Sequence, residues 1–133
     1  MTDLVALIRS LAAAMAARSS AVECTSLLGT LDGPLQPNFG APVRLTTALT
    51  ALLRGAVVMP EPDGTAAWFS LELSDAVPIS LNALADLGPT TEPYYVNSIV
   101  PRRVRFKARV DGCTVAADLD DDDHILAVFV RWE

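Results

Sequence analysis

Arg102-Arg103-Val104-Arg105-Phe106-Lys107-Ala108-Arg109-Val110, followed at once by Asp111-Gly112, is the stretch that decides the fold. Val104, Phe106, Ala108 and Val110 share one parity and Arg103, Arg105, Lys107 and Arg109 the other. A two-residue period of this kind is that of a β-strand with one face buried and one face wet. Asp-Gly between alternating apolar runs is a tight hairpin turn, because both residues tolerate positive φ. Residues 113–119 read as the returning strand. An acidic turn and a third strand over 124–132 finish the chain.

Working toward the N-terminus, Phe69, Leu71 and Leu73 alternate with Trp68, Ser70 and Glu72, so 56–59 and 66–73 read as a hairpin around 60–64. Ser80 caps a short helix containing Leu81, Leu84 and Leu87, closed by Gly88-Pro89. A polar, aromatic connector, 90–101, leads into the cationic strand. Near the start, Leu4, Ile8, Leu11 and Met15, with Leu7 and Ala14 beside them, recur at three- and four-residue steps and form one stripe of a helix. Ser20 and Glu23 have capping-box spacing, predicting a second short helix that ends near Leu28 with Gly29 as its left-handed stop; a strand through Val22 and Cys24 is the rival reading.

Gly33, Pro34, Pro37, Asn38, Gly40 and Pro42 make 32–44 a long loop. Leu45, Leu49, Leu52 and Leu53 then suggest a third helix, with Arg54 in its last turn and Gly55 at its stop. After Gly55 the period changes from helical to alternating. The expectation is an α+β domain, N-terminal helices packed on a mainly antiparallel sheet of about five strands. Residues 1–133 form one unit, with the helical layer over about 1–55 and the sheet, with one inserted helix, over 56–133.

With 133 residues, 51% of them apolar, the chain can bury a core without metal or disulfide staples. Cys24 and Cys113 stand far apart in apolar surroundings, as buried thiols do, and point to a reducing compartment. Residues 4–17 are Ala/Leu-rich, but Asp3 occupies what would be the basic segment of a signal peptide and Arg9 splits the apolar run. No apolar stretch reaches the length that crosses a bilayer, and a net charge of -6 opposes anionic lipid. The expected location is cytoplasmic, away from membranes.

The row Arg103, Arg105, Lys107 and Arg109 sets like charges about 7 Å apart. They are satisfied either by Asp118, Asp120 and Glu72 within the fold or by an acidic macromolecular partner. Nucleic acid fits poorly: the sequence pI is about 4.6, and no helix-turn-helix, RRM or zinc signature is present. Asp120, Asp121, Asp122 and Asp123 before His124 lack the alternate ligands, the glycine and the closing glutamate of a calcium loop, and read as a solvated turn. His124, the only histidine, sits among carboxylates that favour its imidazolium, a poor general base. The seven glycines stand singly, so no phosphate-cradling loop is formed. No catalytic, cofactor or metal residues are assigned, and the chain is not read as an enzyme. Trp68, Tyr94 and Tyr95, of a residue class enriched at interface hot spots, complete the candidate partner-binding set.

The arrangement of helices first, then the 69–73 strand, the 80–88 helix and the three-strand finish over 102–132 resembles small bacterial toxin-immunity proteins. The resemblance implies a small acidic antitoxin that binds and neutralises a cognate toxin. A small-molecule-binding protein or small enzyme with a pocket between helices and sheet, roofed by 32–44, is the alternative. A secretion or assembly chaperone is the third. Whichever holds, a chelator should leave the melting temperature unchanged. A fall of several degrees on chelation would mean a structural metal.

Overall fold

Asp3 begins the first helix by accepting a hydrogen bond from Ala6 N at 2.7 Å, which satisfies one of the backbone donors left open at a helix start. The computed structural model describes residues 3–35, 41–76, 78–87, 94–97 and 103–132. In helix α1, Leu4–Ala16, the sequence stripe is the buried one: Leu4, Leu7, Ile8, Leu11, Ala12 and Met15 all turn into the core. Helix α2, Ala21–Ser26, starts as its capping spacing predicts, with Ser20 Oγ accepting from Glu23 N at 3.1 Å.

Gly29 is not a left-handed stop. It opens strand β1, Gly29–Leu31, and its role is steric. A Cβ there would collide with the Thr46 carbonyl oxygen and lie 2.8 Å from Thr47 Cα, so only glycine permits the strand to approach its neighbour.

The expected third helix is absent. Residues 43–47 form β2, Val43–Thr47, and 53–60 form β3, Leu53–Pro60, joined by a turn that contains Leu49 and Leu52. Leucine spacing imitates a helix here, but burial alternates along β2, with Leu45 and Thr47 inside and Arg44 and Thr46 outside. Thr47 Oγ1 donates to Leu28 O at 3.1 Å and accepts from Leu49 N at 3.0 Å, anchoring the strand end and shaping the turn. Arg54 therefore lies on a strand rather than at a helix terminus.

The expected 60–64 turn joins β3 to β4, Ala66–Leu73, with Gly64 at φ 88°. Ser80 precedes a 3-10 helix, Leu81–Leu87, and Gly88-Pro89 lie outside the described residues. Within the expected connector, Tyr94–Asn97 is a strand, β5, paired with β6, Arg103–Val110. Asp111 and Gly112, at φ 49° and 83°, turn the chain into β7, Cys113–Leu119, and β8, Ile125–Trp132, completes it.

The sheet thus has eight strands, not about five, in the order β1-β2-β3-β4-β8-β7-β6-β5, and every neighbouring pair is antiparallel. Two four-strand meanders, β1–β4 and β5–β8, join where β4 meets β8. The segment between β4 and β5 must cross from the sheet's centre to its far edge, and the 3-10 helix lies on that path, against α1 and β6. It is pinned by Ile125 N to Ile79 O at 2.8 Å and Leu81 N to Asp123 O at 2.8 Å. The helices lie against one sheet face, where Phe69, Leu71, Val115, Val128 and Val130 form a single core with Ile8, Leu11 and Leu84. Cys24 and Cys113 are buried in that core as thiols, and burial pushes the Cys24 thiol up from its ordinary value.

Gly29→Ala should cost about 1–3 kcal/mol, the range for forcing atoms into a packed site. Gly33→Ala, where a Cβ meets nothing within 4 Å, should be neutral or gain up to about 1 kcal/mol by restricting the unfolded chain. Denaturant melts of the two variants check this pair.

Candidate functional site

The second face of the sheet carries the side chains of opposite parity, and strand register sets them in rows across the strands. Met59, Trp68, Arg131, Thr114 and Arg109 are successive partners in one row; Val57, Ser70, Phe129, Ala116 and Lys107 form the next. In the third row Glu72 pairs with Ala127, Ala127 with Asp118, Asp118 with Arg105 and Arg105 with Tyr94. Neighbours within a row are about 4.8 Å apart and rows about 7 Å apart. Arg44, partner of Val57, extends the second row onto β2.

Val57, Met59, Trp68 and Phe129 are half-buried, whereas Phe69, packed on the other face beside Trp68, is fully buried. A face whose centre is apolar and only partly covered differs from the alternation of polar residues that a solvated antiparallel sheet usually presents.

Charge is zoned along the chain, with cations on strands and acids mostly off them. The described strands carry seven of the chain's ten cations, Arg44, Arg54, Arg103, Arg105, Lys107, Arg109 and Arg131, but only Glu72 and Asp118 of its 16 acids. The other acids of the described residues stand in helices, turns and loops. Glu61, Asp63 and Asp111 lie at one end of the strands, with Asp75 and 120–123 at the other.

The predicted cationic row is placed on β6, with Lys107 and Arg109 exposed between buried Phe106, Ala108 and Val110. Two of its expected internal partners are elsewhere. Glu72 is separated from β6 by β8 and β7, and instead holds Arg44 at 3.2 Å and Arg54 at 3.6 Å. Asp120 is engaged within its own turn. Asp118, the third, does stand opposite Arg105, and it is 3% exposed. Lys107, Arg109, Asp118 and Phe129 each have a partner within the chain. Tyr95 pairs with Val104, one step along β5 from the Tyr94 position.

Sequence reasoning missed Met59, Phe129 and Arg131. Their parity along each strand was available, but only the β4–β8 adjacency shows that they stand beside Trp68. Trp132 belongs to the helix-side face, where the Arg18 guanidinium lies 5.1 Å from its ring centre and also reaches Asp63 at 3.4 Å.

Asp120, Asp122 and His124 present ligand atoms within 4.8 Å of one another. Asp120 is already used structurally: Oδ1 accepts from Asp122 N at 2.9 Å and His124 N at 2.8 Å, and His124 Nδ1 lies 3.5 Å from Oδ2. The backbone N–H of His124, then that of Asp122 and the imidazole, holds the Asp120 carboxyl below its ordinary value despite an opposing desolvation. The turn needs this help because Asp123 adopts φ 59°, and the acids repel one another. Among the described residues no helix is long and apolar enough to cross a membrane.

No family model matches the chain, and no curated protein matches it. Among solved structures, the chain is similar to a DUF4309 family protein, YjgB, from Bacillus subtilis subsp. subtilis str. 168. The TM-score is 0.53 at 11% sequence identity, over 97% of each chain, a likeness of fold alone.

Asp120→Ala should lower the melting temperature at neutral pH. Because the folded-state pKa is depressed, the stabilisation is present above the unfolded value of about 3.9 and is lost as pH falls through the folded one. The gap between wild type and variant should therefore close on acidification, which melts at stepped pH would follow.

Proposed function

We propose that the chain is a protein-binding module of the immunity-protein kind, which neutralises a cognate toxin by covering part of its surface. The observation that supports this reading is the zoning of charge: in a protein of net charge -6, exposed Arg44, Lys107, Arg109 and Arg131 stand in the same sheet rows as partly exposed apolar side chains. Exposed charge of one sign steers a partner of the opposite sign, and Trp and Arg side chains are frequent anchors in protein interfaces. Glu72 serves Arg44 and Arg54 on β2 and β3, so it is not a partner of the β6 row, although Lys107, Arg109 and Asp118 have partners of their own within the chain.

The reading places no catalytic step on this chain. His124, with Asp120, closes a turn: its imidazole lies 3.5 Å from the Asp120 carboxylate and its backbone bridges to Ser80. The module acts by occlusion, so its effect on a toxin follows binding stoichiometry rather than turnover.

The test is calorimetric titration against the product of the adjacent gene, with thermal melts in parallel. Lys107→Ala/Arg109→Ala should weaken binding by roughly 2 kcal/mol or more if a desolvated pair is truncated, while the melting temperature, as expected for exposed side chains, barely moves. Lost stability with unchanged affinity would refute the role of that row. Tyr94→Ala/Tyr95→Ala measures the contribution of β5.

A further inference from the structure

The outward sheet face limits what can lie on it. Its half-buried apolar centre, Met59, Trp68, Val57 and Phe129, spans β3, β4 and β8. Arg44 stands on one side along the row direction and Arg131, Lys107 and Arg109 on the other. From β2 to β6 the rows run about 24 Å, five interstrand spacings. Along the strands the surface is bounded at both ends by acids, Glu61, Asp63 and Asp111 above and Asp75 and 120–123 below.

A second copy of this chain is the wrong occupant. Two-fold packing of this face on itself sets cation against cation: an axis along the rows brings Arg131, Lys107 and Arg109 onto their own counterparts, and an axis along the strands brings them onto the Arg44 side of the other copy. A long polyanion is a poorer fit, because a duplex aligned with the strands meets carboxylates at either end and one laid along the rows sets phosphates over the apolar centre of Met59, Trp68, Val57 and Phe129. An acidic protein segment with an apolar centre, laid across the strands along the rows, meets Arg44, itself 3.2 Å from Glu72, at one end, apolar side chains in the middle, and Arg131, Lys107 and Arg109 at the other end.

We infer that the Met59, Trp68, Phe129 and Arg131 face is the docking surface, and that its occupant is a protein segment with a leucine or aromatic centre flanked by aspartate or glutamate. The inference rests on the protein-binding reading and adds to it the surface and the chemistry of the partner. Lys107, Arg109 and Phe129 already have partners within the chain, and the occupant competes with those contacts or adds to them.

The two tryptophans supply the assay, because Trp68 lies on the outward face and Trp132 on the helix-side face. The probe is a short peptide with leucine and phenylalanine at its centre and glutamates at both ends, titrated into the nitrogen-15-labelled full chain. The Trp68 indole resonance should move with the peptide while the Trp132 indole stays in place. Arg131→Glu and, separately, Lys107→Glu should weaken the peptide by about tenfold, or about 1.4 kcal/mol, with Arg9→Ala as an unaffected control. A version with lysine for glutamate should leave Trp68 unmoved.

A Trp68 resonance unmoved by the acidic peptide overturns the inference. So does an equal response to a DNA duplex at the same salt, or a shift that appears with protein concentration alone. Failure of the inference is separable from failure of the protein-binding reading. If the adjacent gene's product binds wild type, Arg131→Glu and Trp68→Ala equally, the face assignment falls and the binding reading stands. If neither that product nor the peptide binds, both fall.

Discussion

The structure depends on the short antiparallel ladder in which Trp68, Phe69, Ser70, Leu71 and Glu72 pair with Arg131, Val130, Phe129, Val128 and Ala127. It is the ladder that joins the two meanders, and it bonds segments far apart in sequence. Phe69, Leu71, Val128 and Val130 bury their side chains from the two strands on one face. With that seam in place, α1 has β7 and β8 to lie against. Each fully buried aliphatic or aromatic side chain contributes about 1.5–3 kcal/mol on transfer from water, so the few residues that meet at the seam and under α1 stabilise both meanders at once.

The same seam assembles the opposite face. Trp68 and Phe129 belong to different meanders, as do Glu72 and Asp118, and they become neighbours or near neighbours only because β4 and β8 are paired. Glu72 and Asp118 apart, the acids around the sheet stand at strand ends, where two of them support turns: Asp63 accepts from Thr65, which holds its carboxyl below the ordinary value, and Asp120 accepts from His124. Turn chemistry thus accounts for where these carboxylates sit. It does not account for the concentration of arginine on the strands, which a solvated face does not need in order to fold.

Local patterns were readable where local physics decides. The stripe of α1, the Ser20 cap, the Asp111-Gly112 turn and the alternation of β6 all depend on residues within a turn or a strand of one another. Residues 45–54 misled because leucines at helical spacing were weighed without their tertiary partners; the Leu28 carbonyl and the ladders to β1 and β3 make 43–47 a strand. The Tyr94, Tyr95 and Val96 run has strand-forming residues, yet four residues give too short a pattern to separate from a connector. Strand order was not legible at all, because no local signal states that β4 skips three strands to find β8. Met59, Phe129 and Arg131 could not be grouped with Trp68 for that reason.

Among the described residues the sheet does not close on itself, and it ends at two edge strands. Those strands are β1, with three residues, and β5, with four, while the central strands of the order, β3, β4, β8, β7 and β6, have seven or eight. A three- or four-residue edge offers few hydrogen bonds to an incoming strand, and a short, weak template is one way in which β-proteins resist edge-to-edge aggregation. Trimming the ends of the sheet thus shortens the template that either edge presents to another chain.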